Sequence, residues 1–552
     1  MEYKGMKKIT TATLLMVFAV GTIFLGMTPA VFAKENTAQF EKEWTAFYKD
    51  IFDQNFYSEG INQLDLGRWW RKIFRKKIPS ANINVFDEVP DSNFFTNRHA
   101  RARLSAEALE KGYHEEEGAD LSQPLTVIAA EQQGIHYGFI VEDAKKDRYF
   151  LKFDSQGHLE LNTGAEVIAS RFYYALGYNV PQYNILFFKP DQIKVSEDAI
   201  TYDNTGFVKK LTQQILEKYL LAIPQLPGGT YRASASKLFK AQEAGDVSFW
   251  SRKKEDPQEV VHHRDRRDFR GLRVFSAWLN NENIRESNAL YMKTNENGQV
   301  AFKPYLFGFA TALGAAMGGD KPPMLGYEYL ADYGEAFKSF LALGFREKPW
   351  QKKWREASEK NSPLSSVGYF SSEHFDPARY KTLLPYEAFR LVTSADGFWA
   401  AKNVMAFSDE DIRTMVKAGQ YSDSAAADSV TQTLIERRDK IGRYWFLQAN
   451  PLDGFAFSDG KLSFKDLAID YKFIPKEGTI YHVEVVSSGK KPRRIAELKI
   501  SEPILSIQPE WFQNDKDINL IIRVARPSAK ELGFSVSISL NTVGIQGIRH
   551  QD

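Results

Sequence analysis

Asn283 and Asn288 stand five positions apart in a polar loop, and Gly308-Phe309-Ala310 follows on the far side of a hairpin-like stretch. A neutral amide accepts a hydrogen bond from a hydroxyl but cannot take its proton, so neither asparagine serves as a general base. Divalent cations such as Mg²⁺ are held chiefly through carboxylate oxygens, which asparagine and glycine do not supply. Two carboxylates do lie inside the loop, Glu282 and Glu286; they read either as replacements for a missing acid or as solvated loop charges. Upstream stand a strand lysine, Lys152, and an early-helix glutamate, Glu166. Thr163-x-x-Glu166 also spells a capping box, and a lone strand lysine is commonly an exposed edge charge. Gly134 and Gly138 would let backbone amides approach an anion, or serve as turn residues. His262 and His263 are poor metal ligands, because adjacent side chains point apart and the nearby acids are flanked by Arg264, Arg266 and Arg267.

These residues need positioning elements, and the pattern provides them. Strands are expected at 125–129, 137–142 and 148–153, the last with Tyr149, Leu151 and Phe153 on one face and Phe150 and Lys152 on the other. A helix should begin at the N-cap Thr163, carry the stripe Ile168, Phe172, Ala175 and Leu176, and end at Gly177 before Pro181. Another strand follows at 184–188. Helices are expected at 215–221, 266–281, 386–406 and 429–448, interrupted by one hairpin that runs 289–293, turns at 295–298 and returns through 299–307. Beyond Asn450-Pro451 alternation takes over, as in Phe534-Ser535-Val536-Ser537-Ile538-Ser539-Leu540, which implies a β-rich module.

The 552 residues contain no cysteine, excluding disulfides and thiolate chemistry and suiting an oxidising compartment. With 72 basic and 70 acidic residues the formal charge is +2, so no global attraction to nucleic acid is implied. Lys4, Lys7 and Lys8 before the apolar run 14–27, ending in Val31-Phe32-Ala33, read as a cleaved export signal over 1–33. A periplasmic or secreted bacterial location follows, with no transmembrane span after cleavage. The aromatic and charged stretch 41–77 reads as one or two helices. Within it Arg68-Trp69-Trp70-Arg71-Lys72 is either a contact for an anionic envelope surface or a helix with snorkelling basic chains.

Four stretches carry a resemblance: Asp87-Glu88-Val89-Pro90-Asp91-Ser92, Tyr149-Phe150-Leu151-Lys152-Phe153-Asp154, Thr163-Gly164-Ala165-Glu166 and Arg266-Arg267-Asp268-Phe269-Arg270-Gly271-Leu272-Arg273. From about 84 to 452 the chain resembles an uncharacterised family of exported bacterial proteins with an atypical kinase core of HipA-like or spore-coat type. The resemblance implies an α+β fold: a two-lobed kinase-like core with an N-terminal helical extension and a C-terminal β-sandwich-like module. The expected segments are a signal peptide (1–33), a helical and extended segment (34–120), an N-lobe (121–215), a helical C-lobe (216–450) and the β module (451–552). It further implies that Lys152 meets nucleotide phosphates and that Glu166 holds it by an ion pair. Asn283 then stands at the catalytic base position, Asn288 at a metal-ligand position and Gly308 where the metal-binding aspartate belongs. His263-Arg264-Asp265 spells the kinase catalytic triplet but precedes its helix, and Arg270 stands where the asparagine is required.

With base and metal ligand both absent in register, the sequence points to a pseudokinase-like binding or scaffolding protein of the cell envelope, its partner an unknown envelope protein or polymer. No cofactor is expected on that reading. ATP and Mg²⁺ enter only for the first alternative, a divergent phosphotransferase using a relocated carboxylate. The second alternative is a carbohydrate or surface-polymer binder acting through the β module.

Overall fold

Alternation in Arg148–Phe153 buries Tyr149, Leu151 and Phe153 and leaves Phe150 and Lys152 on the opposite face, so this strand divides a sheet into two environments. The computed structural model describes residues 50–54, 77–114, 117–133, 136–202, 207–296, 299–343, 345–348, 350–352, 355, 364–489, 492–513, 516–527 and 534–551. The export-signal segment, Gly134 and the basic-aromatic stretch 68–72 lie outside them, as does the 41–77 helical reading except for helical residues 50–54 and Lys77.

The sheet runs β4-β8-β3-β2-β1-β5-β6, with β1 Leu125–Gln133, β2 His136–Glu142, β3 Arg148–Phe153, β4 Tyr183–Phe188, β5 Ile193–Tyr202, β6 Val208–Lys210 and β8 Thr230–Lys237; a short β7, Gln225–Leu226, pairs with β8. β1 and β5 are parallel and the other pairs antiparallel. One face packs Val127, Phe139, Leu151 and Phe153 against Leu216 and Leu220 of the helix Gln213–Ala222. The helix Leu161–Leu176, almost wholly buried, packs against β3, β4 and β8.

β8 falls between the helices expected at 215–221 and 266–281, where no strand is expected from the sequence pattern. Its buried positions are the unbroken run Tyr231, Arg232, Ala233, Ser234 and Ala235, with one large apolar residue among them, so apolar alternation, the usual strand signal, is missing. The helix expected to follow an N-cap at Thr163 starts three residues earlier, with Glu160 at the N-cap position and Leu161 as its first residue. The helix expected over 386–406 is two, Glu387–Arg390 and Ser394–Met405, the second restarted by an N-cap at Thr393 and a capping box with Asp396.

A larger hydrophobic cluster is centred on the helix Arg267–Trp278, which buries Phe269, Leu272, Phe275 and Trp278. Gly271 makes room for Trp399: a Cβ at this position would lie 2.7 Å from the indole. The hairpin of β10, Ala289–Glu296, and β11, Gln299–Leu306, is joined by β9, Gln242–Asp246. The helix Ser424–Leu447 then leads into a three-stranded and a five-stranded sheet that bury one further cluster, including Leu462, Val483, Leu520, Val536 and Leu540. The fold is thus a mixed α and β architecture, and none of its described helices is long and apolar enough to cross a membrane.

Candidate functional site

Lys152 lies directly across from Gly138 on β2 and from Ser234 on β8, so all three occupy one row on the sheet face that meets the helix Leu161–Leu176. Gly138 is therefore a strand residue, not a turn residue. From the helix Glu166 reaches this row: its carboxylate is 3.7 Å from Lys152 Nζ and accepts a 2.6 Å hydrogen bond from Ser234 Oγ. Lys152 is 28% exposed while Glu166 is 2% exposed, so the lysine meets solvent and the glutamate anchors it from below. The Lys152 ammonium also sits 5.1 Å from the Phe150 ring centroid.

Glu166 has no capping duty. The start of its helix is capped by Asp154, whose carboxylate accepts from Glu160 N at 2.9 Å, Thr163 N at 2.8 Å and Thr163 Oγ1 at 2.9 Å. Burial raises the Asp154 pKa even though these hydrogen bonds and Arg232 act to lower it. Arg232 Nε donates to Thr163 Oγ1 at 2.8 Å and lies 4.0 Å from Asp154. The capping-box alternative for Thr163 and Glu166 is overturned because Asp154, immediately after β3, supplies the helix terminus first.

The asparagine loop follows the helix Arg267–Trp278. Asn280 turns the chain in the left-handed region at φ 50° and donates to Leu313 O at 2.8 Å. Asn288 Nδ2 donates to Asn283 O at 3.0 Å, and Phe307 N donates to Asn288 O at 3.0 Å. Gly308, at φ +75°, lies against the same amide: a Cβ there would be 3.2 Å from the Asn288 side chain. The structure thus brings Asn283, Asn288 and Gly308 together. Phe309, fully buried, stacks on Tyr173 at 4.9 Å between centroids, and Asn162 Nδ2 donates to Ala310 O at 2.9 Å and Ala316 O at 3.1 Å. One helix therefore carries Glu166 under Lys152 and also braces the segment beginning at Gly308.

Neither loop glutamate is a solvated charge. Glu282, 3% exposed, forms a buried ion pair with Lys321, whose ammonium also donates to Asn280 O and to Thr311 O. Burial raises the Glu282 pKa against the pull of Lys321. Glu286 accepts from Phe249 N and from Ser248 Oγ, while Tyr386 OH accepts from the Glu286 amide at 3.0 Å. Asp50 reaches the same loop by accepting from Ser287 N at 2.8 Å. Burial first, and the Asp50 carboxylate second, push the Glu286 pKa up to about 8.

Because the folded chain holds that proton more tightly than a free glutamate with its ordinary value of 4.5, the contribution of Glu286 to stability is expected to be fullest below about pH 4.5 and to fall as pH rises toward about 8. Urea unfolding at pH 5 and pH 8 measures this slope, and Glu286→Gln should flatten it. An unchanged slope in the variant would assign it to other groups.

His263 is a satisfied core histidine. It is fully buried, Nδ1 faces Ser248 O, Nε2 lies 3.1 Å from Glu259, and Tyr291 OH donates to the same carboxylate at 2.8 Å. Among the described residues no three His, Asp or Glu side chains are grouped to hold a metal ion. Asp154, Arg232, Ser234 and Lys321 were not singled out from the sequence. Only Asp154, an acid directly after a strand and before a helix, carried a usable signal.

No protein-family model matches the chain, and no curated protein matches it. Among solved structures it is similar to the crystal structure of the Helicobacter pylori proinflammatory kinase CtkA, at 12% sequence identity, covering 56% of this chain and 94% of that one, with a TM-score of 0.28.

Proposed function

We propose that the chain is an exported, pseudokinase-like binding or scaffolding protein of the cell envelope that does not carry out ordinary Mg-ATP phosphoryl transfer. The observation that carries this reading is the contact of the Asn288 side chain with the backbone carbonyl of Asn283 and with the bare Cα of Gly308, so that an amide and two non-acidic positions stand where a phosphotransferase needs carboxylates. That donor set does not fit Mg²⁺. The two carboxylates nearest in sequence are engaged elsewhere, Glu282 by Lys321 and Glu286 by the Ser248-Phe249 turn, which weighs against the phosphotransferase alternative. The Lys152–Glu166 pair, with the ammonium reachable from solvent, supports recognition of an anionic group without chemistry upon it.

A thermal-shift titration with ATP, with and without MgCl₂, tests the reading. A ligand present at a hundred times its Kd adds about 2.7 kcal/mol to stability. The expected result is no magnesium-dependent rise in Tm. A saturable rise that requires the metal would transfer the protein to the enzyme reading.

A further inference from the structure

The helix Tyr333–Leu341 has no buried residue, although its sequence is amphipathic. Tyr333, Phe337, Phe340 and Leu341 recur at i, i+4, i+7 and i+8 and so form one stripe. That stripe does not turn into the protein: Phe337 is 61% exposed, Phe340 74% and Leu341 65%, and the stripe continues past the helix end with Leu343 at 81% and Phe345 at 92%. Scattered exposed apolar residues need no explanation, but five large ones within nine positions form a patch of the kind that marks an interaction surface. A short isolated helix is marginal in water, so burial of this stripe against another surface would supply the stabilisation its own protein core does not.

The surrounding charges indicate which surface fits. Among the described residues each acid near the stripe is matched by a base: Glu328 by Lys348 at 2.6 Å, Asp332 by Lys381 at 2.5 Å, Glu347 by Arg355, and Glu335 by two at once, Lys338 at 2.8 Å and Arg346 at 2.7 Å. Exposed Lys352 adds to the cationic side. The rim is therefore net basic around an aromatic and leucine ridge, the pattern of a helix that lies in a lipid interface rather than crossing it. We propose that the helix Tyr333–Leu341, with Leu343 and Phe345 beyond it, docks on an anionic lipid surface, with Phe337, Phe340, Leu341 and Phe345 entering the headgroup boundary and the basic rim meeting the lipid phosphates. The assignment is independent of whether the Lys152 site binds nucleotide.

Co-sedimentation of the full chain with phosphatidylcholine vesicles, and with vesicles containing a quarter phosphatidylglycerol, tests it. Binding is expected to the anionic vesicles, weakened by salt, and at least about tenfold weaker in Phe337→Ser/Phe340→Ser/Leu341→Ser. Because all three side chains are exposed, this variant should keep the parent Tm. Lys352→Glu/Arg355→Glu should weaken binding to the anionic vesicles alone. Failure to bind either vesicle overturns the proposal, as does binding that the triple-serine variant leaves intact. Equal binding to both vesicles overturns the anionic preference. A dimer in light scattering that the triple-serine variant converts to monomer, without vesicle binding, would reassign the stripe to self-association.

Discussion

Asp396→Ala is expected to destabilise the protein by about 3–5 kcal/mol, the cost of stranding buried charge by deleting one partner. The Asp396 carboxylate is fully buried and faces two guanidinium groups, Arg267 Nε at 3.1 Å and Arg270 Nη1 at 2.9 Å, with Ser80 Oγ at 2.7 Å. It also accepts from Thr393 N at 3.1 Å, closing the capping box of its own helix. Arg267 retains Asp87 at 3.1 Å after the substitution, but Arg270, itself fully buried, is left with Asp265 at 3.6 Å and backbone carbonyls. Burial alone would raise the Asp396 pKa, yet Arg267 and Arg270 outweigh it and hold the carboxyl below its ordinary range. A lowered folded pKa means that this stabilisation is complete above the unfolded value and lost as pH falls through the folded one, so the variant should also lose part of the parent's acid sensitivity. Urea unfolding at pH 7 measures the main effect. Glu107→Ala, at an exposed i,i+4 pair with Lys111, is the control and should change nothing measurable. A cost near that control would mean that the buried guanidiniums find other partners.

That network also explains why some of the sequence was legible only in part. The stretch Arg266–Arg273 and the Asp87-Glu88 pair carried a family resemblance, and their side chains turn out to form internal supports. Asp87 holds Arg267 and receives His550 at 2.8 Å from the last strand, while Glu88 and Asp453 share Lys402. Charged residues in a run read as solvated or catalytic, because a linear pattern does not reveal that an aspartate more than a hundred positions away neutralises them. β3 was legible, since its tyrosine, leucine and phenylalanine alternate around Lys152. β8 was not, because after Tyr231 its buried run of arginine, alanine and serine, packed closely under a helix, has no hydrophobic period. The same limit applies to the candidate site. Spacing read together with the kinase resemblance brought Asn283, Asn288 and Gly308 into consideration, but the commitment of Glu282 to Lys321 and of Glu166 to Ser234 depends on contacts between distant segments.

Asn283→Asp/Gly308→Asp should create a magnesium response that the parent lacks. The backbone at 308 has φ +75°, in the left-handed region where aspartate is tolerated at a cost on the order of 1 kcal/mol. Its Cβ would rise 3.2 Å from the Asn288 side chain, and that side chain is already bonded to the backbone of residue 283. Gly308→Asp would set one carboxylate beside the Asn288 amide, and Asn283→Asp would add a second on the residue whose backbone carbonyl that amide already contacts, hard oxygen donors of the kind Mg²⁺ accepts while keeping several waters. In EDTA the variant should be less stable than the parent, because two like charges face each other without a cation. Adding Mg²⁺ should reverse that loss and continue to raise Tm until the site saturates, contributing about 2.7 kcal/mol at a hundred times Kd. ATP should add to the shift only in the presence of the metal, and Lys152→Ala should remove the ATP increment while leaving the response to Mg²⁺ alone. Single variants separate the contributions: Gly308→Asp places its acid against Asn288 and should carry most of the metal response, whereas Asn283→Asp alone should carry little. A folded double variant that ignores Mg²⁺ would mean that residues 283 and 308 do not share a cation site, and the inactive-kinase reading would lose its physical basis.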